Sequence, residues 1–421
     1  MSQPALARRL RTPDAVVIGL GSMIGAGVFV AFSPAAQSAG SGLLVGLGIA
    51  ALVALANATS SAQLAAQYPT SGGTYVYGRE RLGPWWGFLA GWGFVVGKTA
   101  SCAAMALTFA AYAVPPAWQR PAAVLAVIGL AAVNYRGITR TAALTRVIVG
   151  LVLTVLAVLI IAAWTSGVPE AGRILTDGLV AGGAYGILQS AGLLFFAFAG
   201  YARIATLGEE VVDPARTIPR AIVVALAITV TVYAVVAVTV LAVLGPAGTA
   251  ATATPLAAVG QVSAGDATEV VVRVGGAAAS LGALLALIAG IGRTCLAMAR
   301  ERDLPRWLGA VHPRFRVPHH AEVAVAAVVC GIVSVADLRG AIGFSSFGVL
   351  LYYLIANIAA FTQHREHRRF PRPLQVLGIL GCTTLVATLP WTSVAIGVAV
   401  FALGAGMRFG RLKQRGRDQP R

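Results

Sequence analysis

Acidic residues are scarce in this sequence: 15 Asp and Glu stand among 421 residues, against 32 Lys and Arg. Charged residues of either sign make up only 11%, apolar residues 57%, and the mean hydropathy is +0.80. No soluble chain hides that much apolar surface in one core, so a water-soluble domain is excluded. Cysteine is equally sparse. Cys102, Cys295, Cys330 and Cys382 all lie in apolar segments, which argues against a disulfide framework. The five histidines, from His312 to His367, show no metal-ligand spacing, and neither a metal nor a cofactor is expected.

The acids also inform by where they are missing. All fifteen fall in loops or at the ends of apolar runs. That weakens any buried carboxylate relay for protons and any carboxylate counter-ion for a cationic substrate. It also removes the catalytic constellations of intramembrane aspartyl and metalloproteases, and no serine pairs with a membrane-embedded histidine or lysine; an enzyme is not expected. No run carries a polar face along its length, as a channel would need.

What remains is apolar sequence in long runs. A bilayer-crossing helix takes roughly 20 mostly apolar residues, and twelve runs qualify: 14–37, 42–66, 84–112, 121–135, 147–166, 184–206, 220–244, 271–299, 321–337, 341–362, 374–389 and 391–407. The expected organisation is a cytoplasmic segment at 1–13, a transmembrane domain over 14–407 and a basic, solvated tail at 408–421 that faces lipid headgroups. Arg8, Arg9 and Arg11 ahead of an apolar run that ends in small residues also have the form of a secretory signal; the length of the run and eleven further runs favour a first membrane helix.

A net charge of +17 would point to nucleic acid in a soluble protein. Here 25 of the 32 basic residues fall on one set of alternate loops, and only Arg120, Arg173, Arg273 and Arg339 on the other; Lys98, Arg203 and Arg293 lie within or at the edge of runs. By the positive-inside rule both termini are cytoplasmic, and the partner is a lipid bilayer, with no nucleic acid. The expected location is a bacterial inner membrane; thirty of the basic residues are arginine, a usage that suits a GC-rich bacterial genome but carries no functional argument.

Two runs disagree with a simple helix. Gly21, Gly25 and Gly27 crowd the middle of the first run, in Gly21-Ser22-Met23-Ile24-Gly25-Ala26-Gly27-Val28-Phe29. A break there frees N–H groups that attract a carboxylate and carbonyls that accept from an ammonium, which suits a zwitterion. The same glycines also suit a packing seam between helices. In the sixth run, Phe195-Phe196-Ala197-Phe198-Ala199-Gly200-Tyr201 again combines a glycine with aromatics, and Arg203 follows. Matching interruptions in two halves point to a binding site in an inverted-repeat transporter. Lys98, near the centre of the third run, is a functional candidate by position. It can release a proton when desolvated, or form a fixed link to the carbonyls of a broken helix. Its charge disfavours cationic substrates.

These residues carry a resemblance to the amino acid-polyamine-organocation (APC) permeases. The first-run glycine motif, Phe195 to Gly200 with Glu209-Glu210-Val211-Val212-Asp213-Pro214 after it, and Arg293, Ala297-Met298-Ala299-Arg300, Leu304-Pro305 and His312-Pro313-Arg314 resemble that family's signatures in the family's order. The resemblance implies an all-α polytopic membrane protein of about 12 helices with a LeuT-like fold. Two inverted five-helix repeats (about 14–166 and 184–362) contain broken helices 1 and 6, and two peripheral helices occupy 374–407. It implies a secondary transporter of amino acids, neutral ones given Lys98, with proton symport; an amino acid/amine exchanger or a polyamine or organic-amine permease is the alternative. The substrate carboxylate is expected at Ser22, Met23, Ile24, Gly25, Ala26 and Gly27, and the amine at the first break and at Ala197, Phe198, Ala199 and Gly200. Phe196 stands as aromatic gate, and Glu209, Glu210 and Arg293 as an inner network. Ala202 replaces an acid that many relatives carry, and Val152 stands near the point where certain proton-coupled relatives place a lysine.

Overall fold

The computed structural model describes residues 10–69, 72–137, 141–208 and 210–418, without the side chains of 141–143, 412 and 414–418. Glu209, Arg8, Arg9 and Arg140 lie outside the described residues. Backbone polar groups in a bilayer must be satisfied within their own segment, and among the described residues the chain is helical, with one isolated bridge between Leu10 and Val211.

The helices in chain order are α1 Thr12–Met23, α2 Ala26–Val30, α3 Phe32–Ala39, α4 Leu43–Gln67, α5 Gly73–Leu82 and α6 Pro84–Ala113. Next come α7 Gln119–Tyr135, α8 Thr141–Thr165, α9 Ala171–Ile174, α10 Gly183–Phe198, α11 Ala202–Ala205 and α12 Pro214–Ala251. The last are α13 Pro255–Ala264, α14 Asp266–Arg300, α15 His319–Val335, α16 Leu338–Phe361, α17 Arg372–Thr388 and α18 Trp391–Asp418. Punctuation follows local chemistry. Gly83 (φ 103°) turns the chain into Pro84 at the start of α6, and Gly245 (φ 66°) kinks α12. Asp337 caps α16 by accepting from the Gly340 N–H at 2.8 Å.

Among the described residues ten helical stretches are long and apolar enough to cross a membrane. The expected runs at 321–337 and 374–389 are α15 and α17, of 17 residues each, which at 1.5 Å per residue reach roughly 25 Å, short of a full hydrocarbon core. The final run does not stop at 407: α18 continues to Asp418, because an arginine-rich sequence without Pro is a good helix former.

Burial locates the core. In Thr12–Val30, Pro84–Ala113, Gly183–Ala205 and Leu338–Phe361 two-thirds or more of the apolar window is buried, whereas Pro116–Tyr135 shows 11% and Trp391–Arg411 22%. α1, α2, α6, α10 and α16 therefore form the centre, and α7 and α18 the lipid-facing rim. α6 and α16 touch backbone to backbone: a Cβ on Gly348 would stand 2.8 Å from Gly97 Cα, and Ser101 and Ser345 share a 2.6 Å hydrogen bond beside them.

Candidate functional site at the paired helix interruptions

α1 ends where the Ile24 N–H closes a last bond to Leu20 O at 2.6 Å; Ile24 (φ −81°, ψ 49°) and Gly25 (φ −100°, ψ −138°) then leave helical geometry. The chain re-enters a helix at Ala26 with no side-chain cap, and the Ala31 N–H bond to Gly27 O carries that helix through into α3. The first-turn N–H groups of 26–39 thus have no intrahelical acceptor, and they form a positive dipole end inside the protein.

The second interruption is gentler than a broken helix. α10 tightens into a 3₁₀ turn, Ala199–Tyr201, before α11. Gly200 has no positive φ; it is needed because a Cβ there would run into the Ser22 carbonyl. Gly27 works likewise, since a Cβ would sit 2.8 Å from Ala197 Cα, and a Cβ on Gly21 would meet Thr145 and Val149 of α8. Gly25 marks the break, whereas Gly21, Gly27 and Gly200 are seam glycines.

The two interruptions are brought together, and buried side chains take their carbonyls. The Tyr233 hydroxyl lies 2.6 Å from Met23 O and 3.0 Å from Ala197 O. Lys98 Nζ donates to Ala199 O at 3.1 Å, where the Tyr353 hydroxyl also points at 3.3 Å, and Tyr112 donates to Phe29 O at 2.8 Å. Carbonyls expected to be open to an amine are therefore occupied at Met23, Ala197 and Ala199. Sequence reasoning reached Lys98 and missed Tyr112, Tyr233 and Tyr353; a tyrosine inside an apolar run, whose hydroxyl must find a partner when buried, is the signal.

Met23, Ile24, Ala26, Phe196, Ala197, Phe198, Ala199 and Lys98 are all buried, as are Gly25 and Gly27, and Gly200 is half-buried. Ser22 is exposed, its hydroxyl bonded to Ile18 O, and so is Arg293, while Arg203 is half-buried. At the opposite end Arg339 donates to Gln37 Oε1, Ser38 Oγ and Gln189 Oε1, each at 2.9 Å.

Of the expected inner network Glu209 lies outside the described residues, and Glu210 and Arg293 both lie within electrostatic reach of Arg203 without a direct ion pair. Among the described residues neither Glu210 nor Arg293 makes an ion pair within 4.0 Å, and Asp213 meets Arg216 at 3.8 Å on an exposed surface. The carboxylate that does organise charge is Asp303, 6% exposed, which contacts Arg408 at 2.6 Å, Arg79 at 3.5 Å and the Tyr75 hydroxyl at 2.9 Å. Burial pushes the Asp303 carboxyl above its ordinary range, while the Tyr75 hydrogen bond, Arg408 and Arg79 pull it back down. Arg408 is accordingly core and not tail. Trp85 and Trp86 are exposed as interface anchors would be, but Trp92 is half-buried and its indole N–H donates to Val400 O at 3.1 Å.

Residues 10–414 match the family model described as amino acid permease. An "uncharacterized transporter" of Mycobacterium tuberculosis is 60% identical over 399 residues, which cover 95% of this chain and 90% of that one. The branched-chain amino acid permease BcaP of Bacillus subtilis is 24% identical, with 95% and 94% covered. A chloroplastic cationic amino acid transporter 7 of Arabidopsis thaliana is 28% identical, with 96% and 74% covered. A multi-pass helical membrane architecture, an uncapped break beside a second interruption and a match along nearly the whole chain agree: this chain belongs to the amino acid permease family, whose members are membrane transporters of small molecules.

Proposed function

We propose that the protein is a secondary active transporter that moves a neutral amino acid across the bacterial inner membrane by alternating access, coupled to protons, with both termini in the cytoplasm. The observation that carries this reading is the uncapped helix start at Ala26 beside the Ala197 to Gly200 segment. A carboxylate there receives the N–H groups of Gly25, Ala26 and Gly27 and the favourable end of the helix dipole. With Met23, Ala197 and Ala199 carbonyls already held by Tyr233, Lys98 and Tyr353, the α-amine is left the Gly21 and Ser22 end of α1, where Ser22 is exposed. Phe196 closes the apolar side.

Lys98 supports neutrality of the substrate. No acid lies at the centre of a span to offset its charge, and an ammonium fixed on Ala199 O repels a second cation. The branched-chain permease among the relatives agrees with a neutral substrate; the cationic transporter does not. Lys98 joins α6 to the turn after α10, so a proton lost from it would loosen that joint, which is how proton release and helix movement become coupled.

The test is uptake of a labelled amino-acid mixture into proteoliposomes by wild type and Lys98→Ala, with and without an inward proton gradient. Gradient-driven uptake that collapses in the variant while counterflow exchange survives is the expected result. Gradient-independent exchange in both proteins sinks the symport reading, and no amino-acid transport by either sinks the substrate class.

A further inference from the structure

The end of the molecule that carries the basic loops holds a polar cavity remote in sequence from both helix interruptions. It has a volume of about 160 Å³, with Arg79, Arg302, Arg408, Arg411, Glu301 and Asp303 in its wall. Its acids are already engaged: Asp303 by Arg408, Arg79 and Tyr75, and Glu301 by Arg79 at 2.9 Å. Four guanidinium groups against two carboxylates leave two positive charges in excess, and among the described residues Arg302 and Arg411 make no ion pair within 4.0 Å. Arg411 is held in place, and Arg302 is exposed. Arg411 donates to the Asp303 backbone carbonyl at 3.1 Å, and Arg302 stands just past the end of α14 in the left-handed conformation (φ 63°) where glycine is usual. Arg408, 6% exposed, lies over the rings of Trp85 and Phe88 at 4.9 and 4.8 Å.

Apolar surface adjoins this charge. Leu403 (62% exposed) and Met407 (40%) precede Arg411 at intervals of four residues, so the three share one face of α18. Exposed Trp85 and Trp86 follow Pro84, which lines the cavity, and amphipathic indoles suit the level of lipid headgroups.

We propose that this cavity binds the phosphate-bearing headgroup of an anionic phospholipid, whose acyl chains lie along Leu403 and Met407. Arg302 and Arg411 donate to the phosphate oxygens in the paired geometry that guanidinium favours. A free phosphate shares that chemistry but has no use for the apolar face.

The experiment is native mass spectrometry of the delipidated full-length protein titrated with phosphatidylglycerol, phosphatidylcholine or inorganic phosphate. Retention of phosphatidylglycerol alone is expected. Arg302→Gln with Arg411→Gln weakens it roughly fivefold per arginine, about thirtyfold together. Lys413→Gln, which removes an exposed charge from the same helix but not from the cavity wall, leaves it unchanged. Should the double variant fail to fold, Arg302→Gln alone carries the test at about fivefold. Equal affinity in wild type and the arginine variants, or an equal loss in Lys413→Gln, overturns the site; inorganic phosphate bound as tightly as phosphatidylglycerol overturns the lipid.

Discussion

Tyr233 sends one hydroxyl proton into the gap between the Met23 and Ala197 carbonyls, and so pins the end of α1 against α10 from a third helix, α12. Its ring is held independently, edge-on to Phe32 and tilted on Phe198, so Tyr233→Phe keeps the packing and removes only the bond. Two buried carbonyls then lose their donor, which costs about 1–3 kcal/mol. A lower thermal unfolding midpoint in detergent with an unchanged helical circular dichroism spectrum is the expected result; an unchanged midpoint would mean that water replaces the hydroxyl. Residues of this kind were the hardest to read from sequence. Lys98 stood out because a charge at mid-span has few bland explanations, whereas a tyrosine in an apolar run reads the same at an interface as in a core. Arg408 was misplaced for a related reason. A basic residue at the end of an apolar run looks solvated, and nothing near it in sequence announces Asp303 as its partner.

Between elements the decisive contacts are made by glycine. Gly200 has to accommodate the Ser22 carbonyl, and a methyl group there forces α1 and the turn after α10 apart. Gly200→Ala is therefore expected to cost about 1–3 kcal/mol and to abolish substrate binding, whereas Gly129→Ala in α7, with nothing within 4 Å of the added Cβ, should be neutral or stabilising by a few tenths of a kcal/mol. Ligand-induced thermal shifts of the two variants with the transported amino acid check this, and a normal shift in Gly200→Ala would refute the packing argument. Helix positions were legible because the run of apolar residues is itself the physical requirement for crossing lipid. Which glycine breaks a helix and which merely lets two helices meet was not legible. Both uses need a residue without Cβ, and only the neighbouring chain, distant in sequence, separates them. The 3₁₀ turn at Ala199–Tyr201 escaped for the same reason: its sequence resembles that of a full break.

For the molecule as a whole, exposure differs on the two sides of the first break. Toward the basic loops Ser22 and Arg293 are exposed, while Ala26, Val28, Phe29 and Tyr112 beyond the break are buried and Phe29 meets Tyr112 edge-on. At the end away from the basic loops the Arg339 guanidinium on α16 bonds Gln37 and Ser38 of α3 and Gln189 of α10, so three helices share one donor, and in the alternating-access reading proposed above these are helices whose separation opens that side. The contacts are partly exposed, which limits their combined worth to about 1–2 kcal/mol. That is enough to change the ratio of two access states roughly five- to thirtyfold. Arg339→Gln keeps a polar side chain of moderate length but cannot span all three acceptors, and so shifts the population away from the state in which Ser22 is exposed. The measurement is the rate at which a polar maleimide modifies Ser22→Cys, in a background without the native cysteines, of which Cys330 is the one not fully buried. Slower modification in Arg339→Gln is expected. If the rate is unchanged, the Arg339 contacts are indifferent to the access state, and closure of that end rests on the buried packing of Phe29 and Tyr112 alone.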